Sequence, residues 1–411
     1  MRKTARIVLG FLFVFSGIVK AVDPVGFALI LTEYFHAFRL SFLDPLAIPG
    51  AIGLSSVEFL LGIMLLLDFR KQWTAWGVLL FMGFFTLLTL YLALFNPVSD
   101  CGCFGEAVKL TNWQTFFKNL LFLPFALLLF FQRKRTPPVA SPGAEWPVCG
   151  FFAVVVVAIS IYSYRHLPLV DFRGFKIGND IAFLLEEART KPEFIFKTEW
   201  IYSKDGTQEV FDSENLPDSS WTFVAAHTKE VKTGIRHKIT DFSVYDATGF
   251  LMTDSLLREK ETALMLLIAS YDNLTGRVWN DIKPLVEERQ SKDLPVYVIS
   301  ALPLSYIRPF LAEKDMELPV YTADRALLLT MIRSSPGLMV LKEGVILAKY
   351  GFRDVPAPKK WEKLMQEDPE LVVTRNNIHV RLRTQLFVVI LLILVYLLRK
   401  GYKVLFTSTM V

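Results

Sequence analysis

The sequence predicts a multi-pass α-helical membrane bundle carrying an extramembrane α/β domain, and three observations predict it. The chain has 411 residues, more than one soluble domain usually holds. Its composition is apolar, with 53% hydrophobic residues, 35 phenylalanines and only 21% charged residues. These apolar residues are concentrated in six stretches, at 5–22, 46–67, 73–95, 114–131, 147–163 and 385–398. Most approach the twenty or so residues that cross about 30 Å of hydrocarbon. The two shortest, 147–163 and 385–398, reach that length only with their aromatic and basic flanks.

Lys and Arg in the short connections orient the spans, because cytoplasmic loops are enriched in them. Arg2, Lys3 and Arg6 precede the first span, Arg70-Lys71 follow the second, Arg133-Lys134-Arg135 follow the fourth and Arg399-Lys400 follow the last. This places both termini in the cytoplasm of an inner, cytoplasmic-membrane protein. The loop from Asp100 to Glu106 and the stretch from about 165 to 383 then face the periplasm. Arg381 and Arg383 run against the trend. Reading the first span as a cleaved signal peptide is disfavoured by Lys20, Asp23 and Pro24, which stand where a small-residue cleavage site belongs. The net charge of +5 comes from the anchors and is no argument for nucleic acid.

Within the spans, Ser16 and Gly17 are small enough for close helix approach. Glu58 stands about halfway along the second span, where a charge costs several kcal/mol unless it faces the bundle interior and has a partner or a polar cavity. Lys20 reads either as an interfacial anchor or as that partner. A Lys20/Glu58 pair would fix helix register or mark a quinone site or a proton path.

The chain has three cysteines, two of them in Asp100-Cys-Gly-Cys-Phe-Gly105. A bond between Cys101 and Cys103 would close a small, strained and therefore labile ring, and Gly102 would supply its backbone freedom. Thiol–disulfide chemistry, a structural staple and free or metal-bound thiols are the readings. Zinc lacks a second Cys or His pair. Cys149 belongs near the cytoplasmic end of the fifth span, too far away to resolve the pair.

Ser16-Gly-x-x-Lys20 followed by Asp23-Pro24, Glu58 with Gly62, and above all the Cys-x-Cys loop resemble the DoxX/MauE superfamily of four-helix membrane proteins, over residues 1–135. The resemblance implies involvement in thiol redox or electron transport.

Residues 165–237 mix alternating runs such as Trp221-Thr-Phe-Val-Ala225 with turn signals at Lys204-Asp-Gly206, and read as a mixed α/β or β segment. From 238 to 368, strand and helix patterns alternate: a buried strand at 263–269, a helix at 275–290, a strand at 295–300, a helix at 303–314, a strand at 318–322, a helix at 324–333 and a hairpin at 337–351. With Asp246-Ala-Thr-Gly249 in an opening hairpin and Ser335-Pro336 before the last one, this order resembles a thioredoxin-like domain of the TlpA type. The resemblance implies that Pro336 is a cis-proline facing the active site. Where the Cys-x-x-Cys motif should stand, the chain has Asp272 and Thr275 in the approximate cysteine slots. The domain is therefore expected to be a docking or sensing module, with Pro336 and Asp272 at an edge that accepts an extended peptide, or with Pro336 retained only for the turn. His227, His237 and His379 lack metal spacing. Two functions follow: a redox membrane protein exchanging electrons through Cys101 and Cys103 with an envelope thiol partner, or a non-enzymatic scaffold whose domain binds an envelope client.

Overall fold

A computed structural model describes residues 1–98, 101–134, 142–190, 194–204, 207–212, 217–218, 220–233, 237, 239–274 and 276–407. Asp100, Arg135, the Asp205-Gly206 turn and Thr275, all used in the sequence reading, lie outside the described residues.

The membrane part opens with α1 (Arg2–Val22), α2 (Pro24–Ala37) and a 3-10 turn (Ser41–Leu46), followed by α3 (Ala47–Leu67), α4 (Lys71–Phe95), α5 (Asn112–Phe131) and α6 (Pro142–Arg165). Among the described residues six helical segments are long and apolar enough to span a membrane, the last within Pro369–Leu398. Helices α1 and α3 cross most closely. A side chain on Gly17 would sit 2.6 Å from the Phe59 backbone nitrogen, so only glycine permits this approach. At one end of the bundle Arg2, Arg6 and Lys71 all contact Asp68, while Arg70 meets Glu145 at the start of α6. The Cys101–Cys103 loop and α2 occupy the other end.

Helix α2 was not foreseen. It is apolar but only 14 residues long, too short to register as a span, and Asp23 caps it by accepting a hydrogen bond from the Gly26 amide at 2.9 Å, with Pro24 in the first turn.

The extramembrane part contains α7 (Ile181–Thr190), then a three-stranded antiparallel sheet of β1 (Phe194–Lys204), β2 (Thr207–Asp212) and β3 (Thr222–Thr233) in the order β2-β1-β3. Next come β4 (Val244–Tyr245), α8 (Thr253–Leu257), β5 (Ala263–Ile268), α9 (Val278–Ser291), β6 (Val296–Ser300), α10 (Leu304–Glu313), β7 (Val320–Ala323), α11 (Arg325–Met331), β8 (Gly337–Lys342), β9 (Val345–Gly351) and α12 (Pro358–Gln366). Strands β4 to β9 form one sheet in the order β4-β7-β6-β5-β8-β9, with β5, β6 and β7 parallel and β8 and β9 antiparallel. A βαβ unit followed by an antiparallel hairpin and a closing helix is the thioredoxin-like arrangement. Strand β5 is central and buried throughout. Leu264, Leu266 and Ile268 join a core with α9, α10 and α12, and Met265 and Leu267 join a core with α7, α8 and α11.

Two boundaries differ from the sequence reading. Residues 165–237 are not one segment: Phe175, Ile181 and Leu185 complete the second core of the thioredoxin-like sheet, and Asp180 bridges to Val345 on its edge, leaving 194–233 as the separate sheet. The last membrane helix is also longer than 385–398. It runs unbroken as α13 (Pro369–Thr407), because the polar stretch before the apolar one continues the helix outward from the membrane.

Candidate functional site

The Cys101–Cys103 loop is held by side chains from four elements. Ser16 on α1 donates to the Cys103 carbonyl at 2.6 Å, and Tyr34 on α2 donates to the Cys101 carbonyl at 3.2 Å. Thr115 on α5 lies 3.5 Å from Cys101 Sγ. Leu88 and Leu92 on α4 pack with Val98 and Cys101. Gly102 has φ +64°, and a side chain there would lie 2.7 Å from Ile30 Cδ1 on α2. Positive φ and close packing both select glycine. The loop thus turns the two sulfurs toward each other, 2.8 Å apart.

The two thiols differ in acidity. The hydrogen bond from Cys101, together with the ammonium groups of Lys118 and Lys20, lowers Cys103 to about 7 against the opposing effect of burial. The same hydrogen bond and burial push Cys101 well above the usual thiol range. Of the two, Cys103 ionises the more readily and Cys101 is the thiol that keeps its proton.

Lys20 and Glu58 meet directly, Nζ to Oε2 at 2.6 Å, and their side chains are only 4% and 8% exposed. The interfacial-anchor reading of Lys20 is therefore corrected: the ammonium points into the bundle, where the carboxylate satisfies it. Lys20 also donates to Ser16 Oγ at 3.2 Å, linking this pair through Ser16 to the cysteine loop. Ser16, Lys20, Glu58, Cys103, Lys118 and Asn119 share a cavity of about 30 Å³. That volume suits a single water and does not fit a quinone ring beside Glu58. Cys149 lies near the opposite end of the bundle, packed by Phe69 and Phe152.

The thioredoxin-like domain rests on this same end of the membrane part. Arg333 Nε lies 3.1 Å from both Asp23 carboxylate oxygens and Nη2 lies 3.0 Å from Oδ2. Glu106, just past the cysteine loop, lies 4.0 Å from the same guanidinium. Burial opposes the charge on Asp23, but Arg333 and Arg173 hold its carboxyl below the ordinary range. Leu29 of α2 packs into the domain's second core.

The Ser335–Pro336 peptide is cis. Pro336 is buried, and the Ser335 carbonyl accepts from Asn273 Nδ2 at 3.0 Å, while the Ser335 hydroxyl accepts from the amides of Ala269 and Ser270. Asp272 is exposed and accepts from the Ser270 hydroxyl at 2.8 Å. One lone pair of the Ser335 carbonyl is thus taken by Asn273, Tyr271 and Asp272 beside it stay exposed, and the neighbouring Arg333 is turned into the membrane part. Among the described residues no cluster of His, Cys, Asp or Glu has metal-binding geometry.

Several residues of this site were missed from sequence, Lys118 and Arg333 among them. Lys118 sits in an apolar span, and its position relative to Cys103 depends on the fold. Arg333 had no local signal. Asp23-Pro24 was a readable helix start, although its ionic partner was not readable.

Comparison with known proteins places the cysteine loop in a family context. Residues 2–132 match the family described as methylamine utilisation protein MauE. The MauE-like region contains α1 to α5 and the side chains named above around the two cysteines. Residues 196–233 match a family described as a domain of unknown function. Protein TlpB of Flavobacterium psychrophilum is 32% identical over 138 residues, which make up 32% of this chain and 37% of that protein; the match spans little more than a third of the relative's length. The solution structure of a proposed thioredoxin from Neisseria meningitidis aligns with 30% of this chain and 83% of its own, at 19% identity and a TM-score of 0.24. The strand order described above carries the thioredoxin-like assignment.

Proposed function

We propose that this multi-pass membrane protein carries out thiol–disulfide exchange for envelope proteins on the periplasmic side of the inner membrane, with Cys101 and Cys103 as the exchanging pair. The proximity of the two sulfurs, with Cys103 lowered to about 7 and Cys101 raised, carries this reading. The Cys103 thiolate attacks one sulfur of a partner protein's disulfide, forming a mixed disulfide and releasing the partner's other sulfur as a thiolate. Cys101 then loses its proton and attacks Cys103 Sγ. The intramolecular bond forms, the mixed disulfide breaks, and the partner leaves as a dithiol with two electrons, one proton from Cys101 and one from water. Run in reverse, the same steps oxidise a partner dithiol. The other substrate for turnover is a second dithiol or disulfide protein.

The cysteine-less domain supports a subordinate reading. Its Arg333 is bonded to Asp23 of the membrane part, which supports a fixed structural role beside the cysteine loop.

Thiol trapping of Cys101 and Cys103 in intact membranes, followed by mass spectrometry and a redox titration, tests the proposal. A reversible bond near or above about −200 mV, the range of disulfide-exchanging proteins, is expected. Permanently free thiols, a bridge resistant to reduction, or full cellular function of the Cys101→Ser/Cys103→Ser variant would refute it in favour of a scaffold.

A further inference from the structure

A cleft of about 900 Å³ opens between the cysteine-loop end of the bundle, the segment after α6, and the outer half of α13. Its charges do not balance. Asp171 is taken by Arg173 at 2.7 Å and Lys349 at 2.8 Å, Asp354 by His166 at 2.7 Å, and Glu106 by Lys109 at 3.0 Å. The carboxylates lining the cleft are thereby occupied, whereas Lys176, Arg381 and Arg383, which also line it, have no carboxylate partner among the described residues. Net positive charge is left facing the cavity.

The position of the cleft indicates what would neutralise that charge. Arg381 and Arg383 stand at the opposite end of the bundle from the basic clusters that set its orientation, so topology does not account for them. The cleft reaches Tyr162 on α6 and Gln385 on α13, where the apolar stretches of both helices begin. Beyond that point Ile161, Leu386, Val389 and Ile390 are 42–61% exposed, forming a surface that suits acyl chains. A ligand matching both halves has an anionic head and a hydrocarbon tail.

We infer that this cleft binds the phosphate of an anionic phospholipid headgroup through Lys176, Arg381 and Arg383, with the acyl chains against α6 and α13. The site uses neither cysteine and stands apart from the exchange reaction. Bound there, a lipid bridges the extramembrane domain's segment at Lys176 to the last membrane helix.

The test uses the full-length protein, delipidated in neutral detergent and titrated with fluorescent phosphatidylglycerol or phosphatidylcholine, with retained lipid measured by mass spectrometry. Tight binding of phosphatidylglycerol over phosphatidylcholine is expected. Lys176→Gln/Arg381→Gln/Arg383→Gln weakens it by roughly fivefold per charge, on the order of a hundredfold together. The charge-keeping Lys176→Arg/Arg381→Lys/Arg383→Lys variant retains most of the affinity, and Lys359→Gln/Lys360→Gln, on the exposed face of α12, leaves it unchanged. Circular dichroism melting verifies that each variant folds. Equal binding of the two lipids, or unchanged binding in the triple Gln variant, overturns the inference. Inorganic phosphate or glycerol phosphate binding as tightly as the lipid also overturns it, assigning the cleft to a soluble anion.

Discussion

Arg333 and Asp23, 310 positions apart in the chain, form a two-pronged ion pair that fastens the thioredoxin-like domain to the start of the short helix covering the cysteine loop. The guanidinium side chain is 2% exposed and the carboxylate 11%, so neither is relieved by water if its partner is lost.

Arg333→Leu or Asp23→Asn is therefore expected to destabilise the folded chain by about 3–5 kcal/mol, the usual consequence of leaving one buried charge unpaired. Differential scanning calorimetry in detergent measures this, and limited proteolysis reports whether the domain loosens. The pair also sets an acid limit. The Asp23 carboxyl is depressed in the folded state, so its contribution is fully present above the unfolded carboxylate range near 4 and disappears as pH falls through the lower folded value. In Asp23→Asn this part of the acid dependence disappears.

The unequal thiols predict selective alkylation. Iodoacetamide should label Cys103 with a midpoint near pH 7, and Cys101 hardly at all below pH 9. Lys118→Met removes a nearby positive charge, and Cys101→Ala removes the donor that bonds Cys103; each should move the Cys103 midpoint upward. Site-resolved mass spectrometry over a pH series gives both values.

Lys20→Met or Glu58→Gln should each cost about 3–5 kcal/mol by stranding the other member of a buried pair. The combined Lys20→Met/Glu58→Leu variant should lose less than the sum of the two. A double-mutant cycle of thermal unfolding in lipid nanodiscs gives the coupling.

Gly102→Ala imposes a side chain at φ +64° against Ile30. The loop should shift enough to slow diamide-driven Cys101–Cys103 bond formation, and stability should fall by about 1 kcal/mol or more. Ile30→Ala in the same background relieves the contact but not the backbone strain, and should restore the rate only in part.

The architecture was largely legible because its signals are local. Apolar windows marked the six spans, and the alternation of strand and helix patterns from Ala263 to Gly351 marked the elements of the sheet and its antiparallel edge. Helix α2 escaped because Pro24–Ala37 is largely apolar yet shorter than a span, and the outer half of α13 escaped because a polar helix leaves no hydropathy signal. At the site, Cys101, Cys103, Glu58 and Lys20 each stood out as chemically costly residues in their surroundings. Their mutual geometry, the acidifying effect of Lys118 and the Asp23–Arg333 contact depend on distances that tertiary folding alone sets. What surrounds Pro336, with Asn273 bonded to the Ser335 carbonyl, depends on the fold in the same way.

Because α6 runs into the thioredoxin-like domain and α13 runs out of it, the domain is moored to the bilayer at both ends. It cannot diffuse away, so its face meets the cysteine loop at an effective concentration set by two short tethers, independent of expression level. A soluble competitor for that face faces a permanent intramolecular rival, and partners reaching the loop must approach from the side that the moored domain leaves uncovered.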